Sequence, residues 1–235
     1  MRWFIVLITG ALVPSLTTAQ DSDQKIYQSM EEKIANAKTH KVTFEVDESY
    51  GKYKTSGELI LGSHGQLKLT SEVTERKTAF TNSKHRNNIV VSDGKSIMFR
   101  TQADARELRA NSDKETDEKS WTLLVNGLKR NSLYSAIASV LRVPRSTLID
   151  APSNFTDLGK EMVEGHNATV VGYTLAQKDQ PRFACKIWIN PDTMLPLKRT
   201  IEAKKDGVLT VRVVETYKKW ELNPKLQDSD FVLPK

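Results

Sequence analysis

One stretch of this 235-residue chain, Trp121 to Val143, carries a long apolar pattern of helical period, and what surrounds it reads as strands. Trp121, Leu124, Val125 and Leu128 share one helix face. Leu133, Ile137, Val140 and Leu141 continue that face after a polar break. The spacing predicts two helices, weakened near Asn126-Gly127, with Asn131-Ser132 offering an N-cap and Pro144 ending the second. A chain built otherwise of half-apolar strands needs something to cover its sheet. This segment is the obvious filler.

The strands are read from period-2 alternation. Val42, Phe44 and Val46 alternate within Lys41 to Glu48, Leu59 and Leu61 within Thr55 to Leu61, and Leu67, Leu69 and Val73 within Gln66 to Val73. Lys68, Thr70 and Glu72 point the other way, so that face is wet, as suits antiparallel hairpins. Asp93-Gly94, between Ile89-Val90-Val91 and Ile97-Met98-Phe99, predicts a tight type I′ hairpin. Glu72 to Asn88 reads as a solvated charged loop, and Gln102 to Lys119 as a long loop or frayed helix.

After a turn at Ala151 to Phe155, five strands follow: 157–164, 168–176, 182–189, 195–203 and 208–220. Short turns at Glu164-Gly165, Asn190-Pro191 and Asp206-Gly207 argue for a meander. Phe183, Cys185, Ile187 and Ile189 share a face, and so do Leu195, Leu197 and Ile201, with Arg199 on the same row. A salt bridge or a register slip is the expected account of that arginine. In all, about ten strands are expected. An amphipathic helix from Asp23 to Thr39 precedes them, with Ile26, Met30, Ile34 and Ala37 on its apolar side.

Residues 1–19 read as an export leader: Arg2, an apolar run from Trp3 to Val13, and small residues at Thr17-Thr18-Ala19. The run is too short to span a bilayer, and no comparable stretch follows, so the mature chain is expected to be exported and not membrane-spanning. The formal charge of +6 is spread along the chain rather than gathered in a stripe, which argues against a nucleic-acid partner. A single cysteine, Cys185, excludes an internal disulfide framework and fits a small buried hydrophobe.

His40, His64, His85 and His166 lack metal-ligand spacing, and nucleophile and phosphate-loop motifs are absent. No catalytic residue, metal site or cofactor is expected. Asn154-Phe-Thr and Asn167-Ala-Thr are formal glycosylation sequons.

The order of elements resembles the periplasmic outer-membrane lipoprotein carrier (LolA-like) superfamily. The resemblance is carried by Gly57-Glu58-Leu59 with Leu61, by Val91-Ser92-Asp93-Gly94-Lys95 with Ile97 and Phe99, by Lys186-Ile187-Trp188-Ile189-Asn190-Pro191 with Leu195-Pro196-Leu197, and by Phe231-Val232-Leu233-Pro234. It implies one domain over 20–235: a mainly β, α+β fold, in which an unclosed and strongly curved antiparallel β-barrel has an N-terminal helix and mid-chain helices covering its concave face. It also implies a periplasmic, non-enzymatic carrier whose cavity holds acyl chains, with a lipid or an acylated protein as ligand and an envelope receptor as a further partner. A regulatory module that binds a protein on the same fold is the alternative.

The cavity candidates are Phe44, Leu59, Leu61, Leu67, Leu69, Ile97, Phe99, Trp121, Leu124, Leu128, Ile137, Leu141, Phe183, Ile187 and Leu197. One departure stands out. Where the carriers have an Arg-Pro pair whose arginine helps latch the lid, this chain has Ser63-His64, so no arginine carries over.

Overall fold

The computed structural model describes residues 17–48, 53–75, 84–103, 106–111, 114–130, 132–141, 152–176 and 182–232. Among these, eleven strands form a single antiparallel sheet, in the order β6-β5-β4-β3-β2-β1-β11-β10-β9-β8-β7. The strands are β1 His40–Glu48, β2 Tyr53–Leu61, β3 Gln66–Glu75, β4 Lys84–Asp93, β5 Ile97–Ala103, β6 Arg106–Asn111, β7 Ser153–Val163, β8 His166–Leu175, β9 Phe183–Asn190, β10 Leu195–Lys205 and β11 Val208–Leu222. The helices are α1 Thr17–Asn36, α2 Lys114–Lys129 and α3 Leu133–Val140. The sheet is an unclosed half-barrel, mainly β with α-helices on one face. Neighbours in sequence pair, except that β6 and β7 lie at opposite edges and the first strand pairs with the last.

One face of the sheet carries the core. Val42, Phe44, Leu59, Leu61, Leu67, Leu69, Val90 and Ile97 meet Leu124, Leu128, Leu133, Ile137 and Val140 of α2 and α3. Val171, Tyr173, Leu175, Cys185 and Ile187 meet Tyr27, Met30 and Ile34 of α1. Each fully buried leucine among these stabilises the fold by roughly 1.5–3 kcal/mol. Tyr27, Phe155 and Tyr173 form an aromatic trio with centroids 5.0, 5.0 and 6.3 Å apart. Cys185 is free and buried, and burial pushes its thiol up to about 12. It packs as an uncharged small side chain.

The opposite face is wet except under two small clusters. Phe231, from the short 3-10 turn Asp228–Phe231, docks on Ile60 and Val91, while Leu233 lies outside the described residues. Trp188 packs with Ala168 and Val170.

Four expectations are corrected. The charged segment 72–88 is in part a hairpin: β3 runs to Glu75, β4 starts at Lys84, and Thr74 faces His85. Both sides of that ladder are polar, so alternation of apolar residues cannot reveal it. Residues 106–111, within a stretch read as loop or frayed helix, form the edge strand β6, and α2 begins at Lys114. Asn154, assigned to a turn, lies in β7, where it takes a positive φ beside a shift in register.

At the β4–β5 hairpin only Gly94 has positive φ, so the turn is not type I′. The Asp93 carboxylate accepts hydrogen bonds from the Lys95 and Ser96 amides at 2.8 and 3.0 Å and closes a longer loop between the paired Ser92 and Ile97. Those amide bonds hold the Asp93 carboxyl below its usual range. True two-residue turns with both φ positive occur at Glu164-Gly165 and Asp206-Gly207.

His40 opens β1 with its ring fully buried, and burial lowers its pKa to about 4. The unfolded chain therefore takes up a proton near pH 6.5 that the folded chain refuses. His40 thus leaves stability intact above pH 6.5 and drains it as the pH falls toward 4. Denaturant unfolding at pH 7 and pH 5 should differ by about 2 kcal/mol on this account. In His40→Leu that contribution to the difference should vanish; an unchanged difference would remove His40 as its source.

Candidate functional site: the helical cover and the cavity beside it

The helices α2 and α3 form a hairpin that lies on the core face, and a glycine makes their close approach possible. A Cβ on Gly127 would stand 2.7 Å from the Ala136 Cβ and 3.0 Å from the Ser132 carbonyl oxygen. Gly127 was expected to weaken the helix. Instead α2 runs through it to Lys129, and the break falls between Lys129 and Leu133. The reason is packing: the helix needs a side with no side chain where α3 crosses it. The expected N-cap is present, with the Ser132 hydroxyl accepting from the Ser135 amide at 3.2 Å.

Between cover and sheet lies a buried polar centre. Arg199 and Glu215 are cross-strand partners on β10 and β11, both with no exposed side-chain surface. Arg199 donates from Nη1 to the Gly127 carbonyl at 2.7 Å and from Nη2 to the Leu128 carbonyl at 2.8 Å, and Nη1 also lies 3.4 Å from Glu215 Oε2. Glu215 Oε1 accepts from the Ser132 hydroxyl at 2.8 Å and from the Tyr134 amide at 3.0 Å. Its Oε2 accepts from the Tyr217 hydroxyl at 2.7 Å.

The cation thus meets the carbonyl end of α2 and the carboxylate meets the amide end of α3. Both helix dipoles and both sets of unpaired terminal groups are served by one ion pair. Tyr27 extends the arrangement from α1, its hydroxyl donating to the Lys129 and Arg130 carbonyls at 3.2 and 3.3 Å. Burial holds the Tyr27 and Tyr217 phenols above their ordinary range, so they remain neutral donors.

Two further contacts seat the cover. Trp121 Nε1 donates to the Gly62 carbonyl at 2.9 Å, at the turn next to Ser63-His64. That turn lacks the carriers' arginine, yet it still fastens the cover, through a tryptophan on the helix. At the other end the Tyr134 hydroxyl bonds the Glu48 carboxylate.

Beside α3 lies a cavity of about 230 Å³. Tyr134, Ile137, Ala138 and Leu141 line it from the cover, and Tyr53, Thr55, Val73, Arg86, Asn88 and Thr101 from the sheet. It is smaller than the ~300–1,000 Å³ of ordinary small-molecule sites.

Of the candidates drawn from sequence, Phe44, Leu59, Leu61, Leu67, Leu69, Ile97, Phe99, Leu124, Leu128, Ile137 and Ile187 are buried together in the main core. Trp121, Leu141 and Phe183 pack against it half-buried. Ile137 and Leu141 alone among the candidates border the cavity. Leu197 falls elsewhere. A bulge between Pro196 and Lys198 shifts the register, so Leu197 joins Trp188 and Val170 on the other face while Arg199 stays with the core.

Tyr27, Ser132, Glu215 and Tyr217 are absent from the sequence-derived set. Their signal was faint: a glutamate and a tyrosine two apart on a strand row that is otherwise apolar. Among the described residues no group of three or more His, Cys, Asp or Glu side chains could hold a metal ion.

A sequence model of the MucB/RseB N-terminal domain matches residues 128–230, under half of the chain but including α3, Arg199 and Glu215. Among solved structures, LprF from Mycobacterium bovis aligns with a TM-score of 0.55 at 14% identity, over 87% of this chain and 97% of that one. The fold is LolA-like. The Mycobacterium tuberculosis lipoprotein LppX aligns with a TM-score of 0.48 at 12% identity, over 87% and 98% of the two chains. The MucA/MucB complex from Pseudomonas aeruginosa aligns at 0.41 and 16%, over 91% and 61%. No curated protein matches the chain by sequence.

On this LolA-like scaffold, removing one partner of the buried pair strands the other and costs about 3–5 kcal/mol. Arg199→Met should therefore lose stability in that range by denaturant unfolding. In a double-mutant cycle with Glu215→Leu the two losses should fail to add, the pair being coupled. Additive losses would mean that the two residues act independently.

Proposed function

We propose that this chain is an exported, non-enzymatic binding protein that takes an acyl chain, on a lipid or an acylated protein, between the curved sheet and the α2–α3 cover. Residues 1–19 serve as the export leader and 20–235 as the binding domain, placing it in the periplasm or its equivalent outside the cytoplasm. No helix among the described residues is long and apolar enough to cross a membrane.

The observation that carries this reading is the seating of the cover. An apolar helical hairpin lies on an apolar sheet face, and the same hairpin borders a cavity. That cavity is too small for a whole acyl chain. Uptake of a chain thus proceeds by displacement of α3, and the ligand replaces the contacts α3 gives up. Each CH₂ moved out of water then contributes about 0.8 kcal/mol. The sheet candidates Phe44, Leu59, Leu61, Leu67, Leu69, Ile97, Phe99 and Ile187 would form the wall the chain slides along, with Leu124, Leu128, Ile137 and Leu141 facing them.

A second reading is a regulatory module that grips a protein partner. The match of residues 128–230 to the MucB/RseB N-terminal domain supports it, and a MucA/MucB complex is among the structural neighbours.

Lipid mass spectrometry of extracts from the purified protein, together with uptake of an environment-sensitive dye displaced by fatty acid, separates the two readings. Acyl binding predicts both signals, and predicts that Ala138→Trp, which fills the cavity, reduces dye uptake at least tenfold with the far-ultraviolet circular dichroism unchanged. Neither lipid nor dye uptake in the unmodified protein would sink the acyl reading and leave the partner-binding one.

A further inference from the structure

The cavity beside α3 has two unlike walls. The cover contributes Ile137, Ala138 and Leu141 with Tyr134, whereas the sheet contributes Thr55, Asn88 and Thr101 with Tyr53 and Val73. Arg86 completes the sheet wall, and among the described lining residues it is the one charged group. None of the described lining residues is a carboxylate; the nearby Glu48 carboxylate is engaged by the Tyr134 hydroxyl. Arg86 is exposed while Asn88, two residues back on the same strand row, is buried, so the guanidinium stands at the rim.

The rows leading to this rim turn from apolar to polar at the same level. On β4 the sequence along the core face is Val90, Asn88, Arg86; on β5 it is Ile97, Phe99, Thr101; on β3 it is Leu67, Leu69, Ser71, Val73. The pairings Leu69 with Val90, Ser71 with Asn88 and Val73 with Arg86 align these changes across the strands. Along β4 the face therefore passes from apolar, through hydrogen-bonding, to cationic, with β5 following as far as Thr101, while Val73 on β3 keeps an apolar flank beside Arg86. That is the polarity of an amphiphile read from tail to head.

We propose that this site selects single-chain amphiphiles with an anionic head group, with Arg86 holding the head at the rim and Asn88 and Thr101 supplying hydrogen bonds just inside. The proposal rests on the acyl-binding reading above. A guanidinium matches a carboxylate or a phosphate equally, through paired N–H donors. A free fatty acid and a lysophospholipid thus present the same chemistry to it. A neutral head gives Arg86 no counter-charge, and a charge-assisted hydrogen bond is the stronger kind.

Displacement of a bound dye by myristate, 1-myristoyl lysophosphatidic acid and 1-monomyristoylglycerol tests it, in the unmodified protein and in Arg86→Gln. The two anionic ligands should compete at concentrations at least tenfold below the neutral one. Arg86→Gln, at an exposed position, should keep its melting temperature and bring the three within about twofold. The better of the two anions identifies carboxylate or phosphate as the natural head. Equal competition by the neutral ligand, or a preference that survives Arg86→Gln, would overturn the head-group assignment while leaving acyl binding intact. If no dye enters and none of the three ligands binds, the acyl reading fails and this proposal with it.

Discussion

The buried pair of Arg199 and Glu215 decides where the cover sits. An ion pair stripped of water is a poor source of net stability, because desolvation offsets most of its attraction. Its value here is positional. Arg199 reads the carbonyl end of α2 and Glu215 reads the amide end of α3, so the bend between the helices has one place to rest. Both charges reach the core because β10 and β11 pair in the register that sets Arg199 opposite Glu215. The Asp206-Gly207 turn adjoins that ladder with both φ values positive. A slip of one residue in either strand would carry its charge to the wet face and leave a helix end unpaired.

Connectivity gives the cover its freedom. The sheet order runs from β6 at one edge to β7 at the other, and the chain between these two strands contains α2 and α3. The cover is thus joined to the two edges and not to the central strands. β1 and β11 pair at the middle of the sheet and are joined to their neighbours by short hairpins. Displacing α3 would break its bonds to Glu215 but none of the backbone pairing of that centre. The proposed acyl uptake needs such a division of labour: a wall that stays and a lid that yields.

Much of the fold was legible in the sequence because apolar alternation and turn residues report directly on half-buried strands. The strands of the second half of the chain, the N-terminal helix and the helical pair all follow from that signal. It fails where both faces of a strand are polar, as at 84–88, and at the edge strand 106–111, whose place rests on backbone hydrogen bonds to β5. Leu197 was misplaced because a bulge breaks the period of two within one residue, and no residue type announces it.

The candidate site was harder still to read. The bonds that tie its polar centre to the cover span 71 to 103 positions, such as Arg199 with Leu128 and Tyr27 with Arg130, so no local pattern contains it. A lone arginine on an apolar row was the visible trace. The partner that explains it, Glu215, became apparent only through the β10–β11 register.

The central claim is that α2 and α3 form a separately yielding cover, pinned by that pair, on a sheet that persists without them. Native-state hydrogen exchange resolved by residue measures this directly. The account predicts that amides of α2 and α3 exchange through a shared opening of lower free energy than amides of β1, β2, β10 and β11, which exchange only on global unfolding. Equal protection in the cover and the central strands, with all of them opening together, would contradict it.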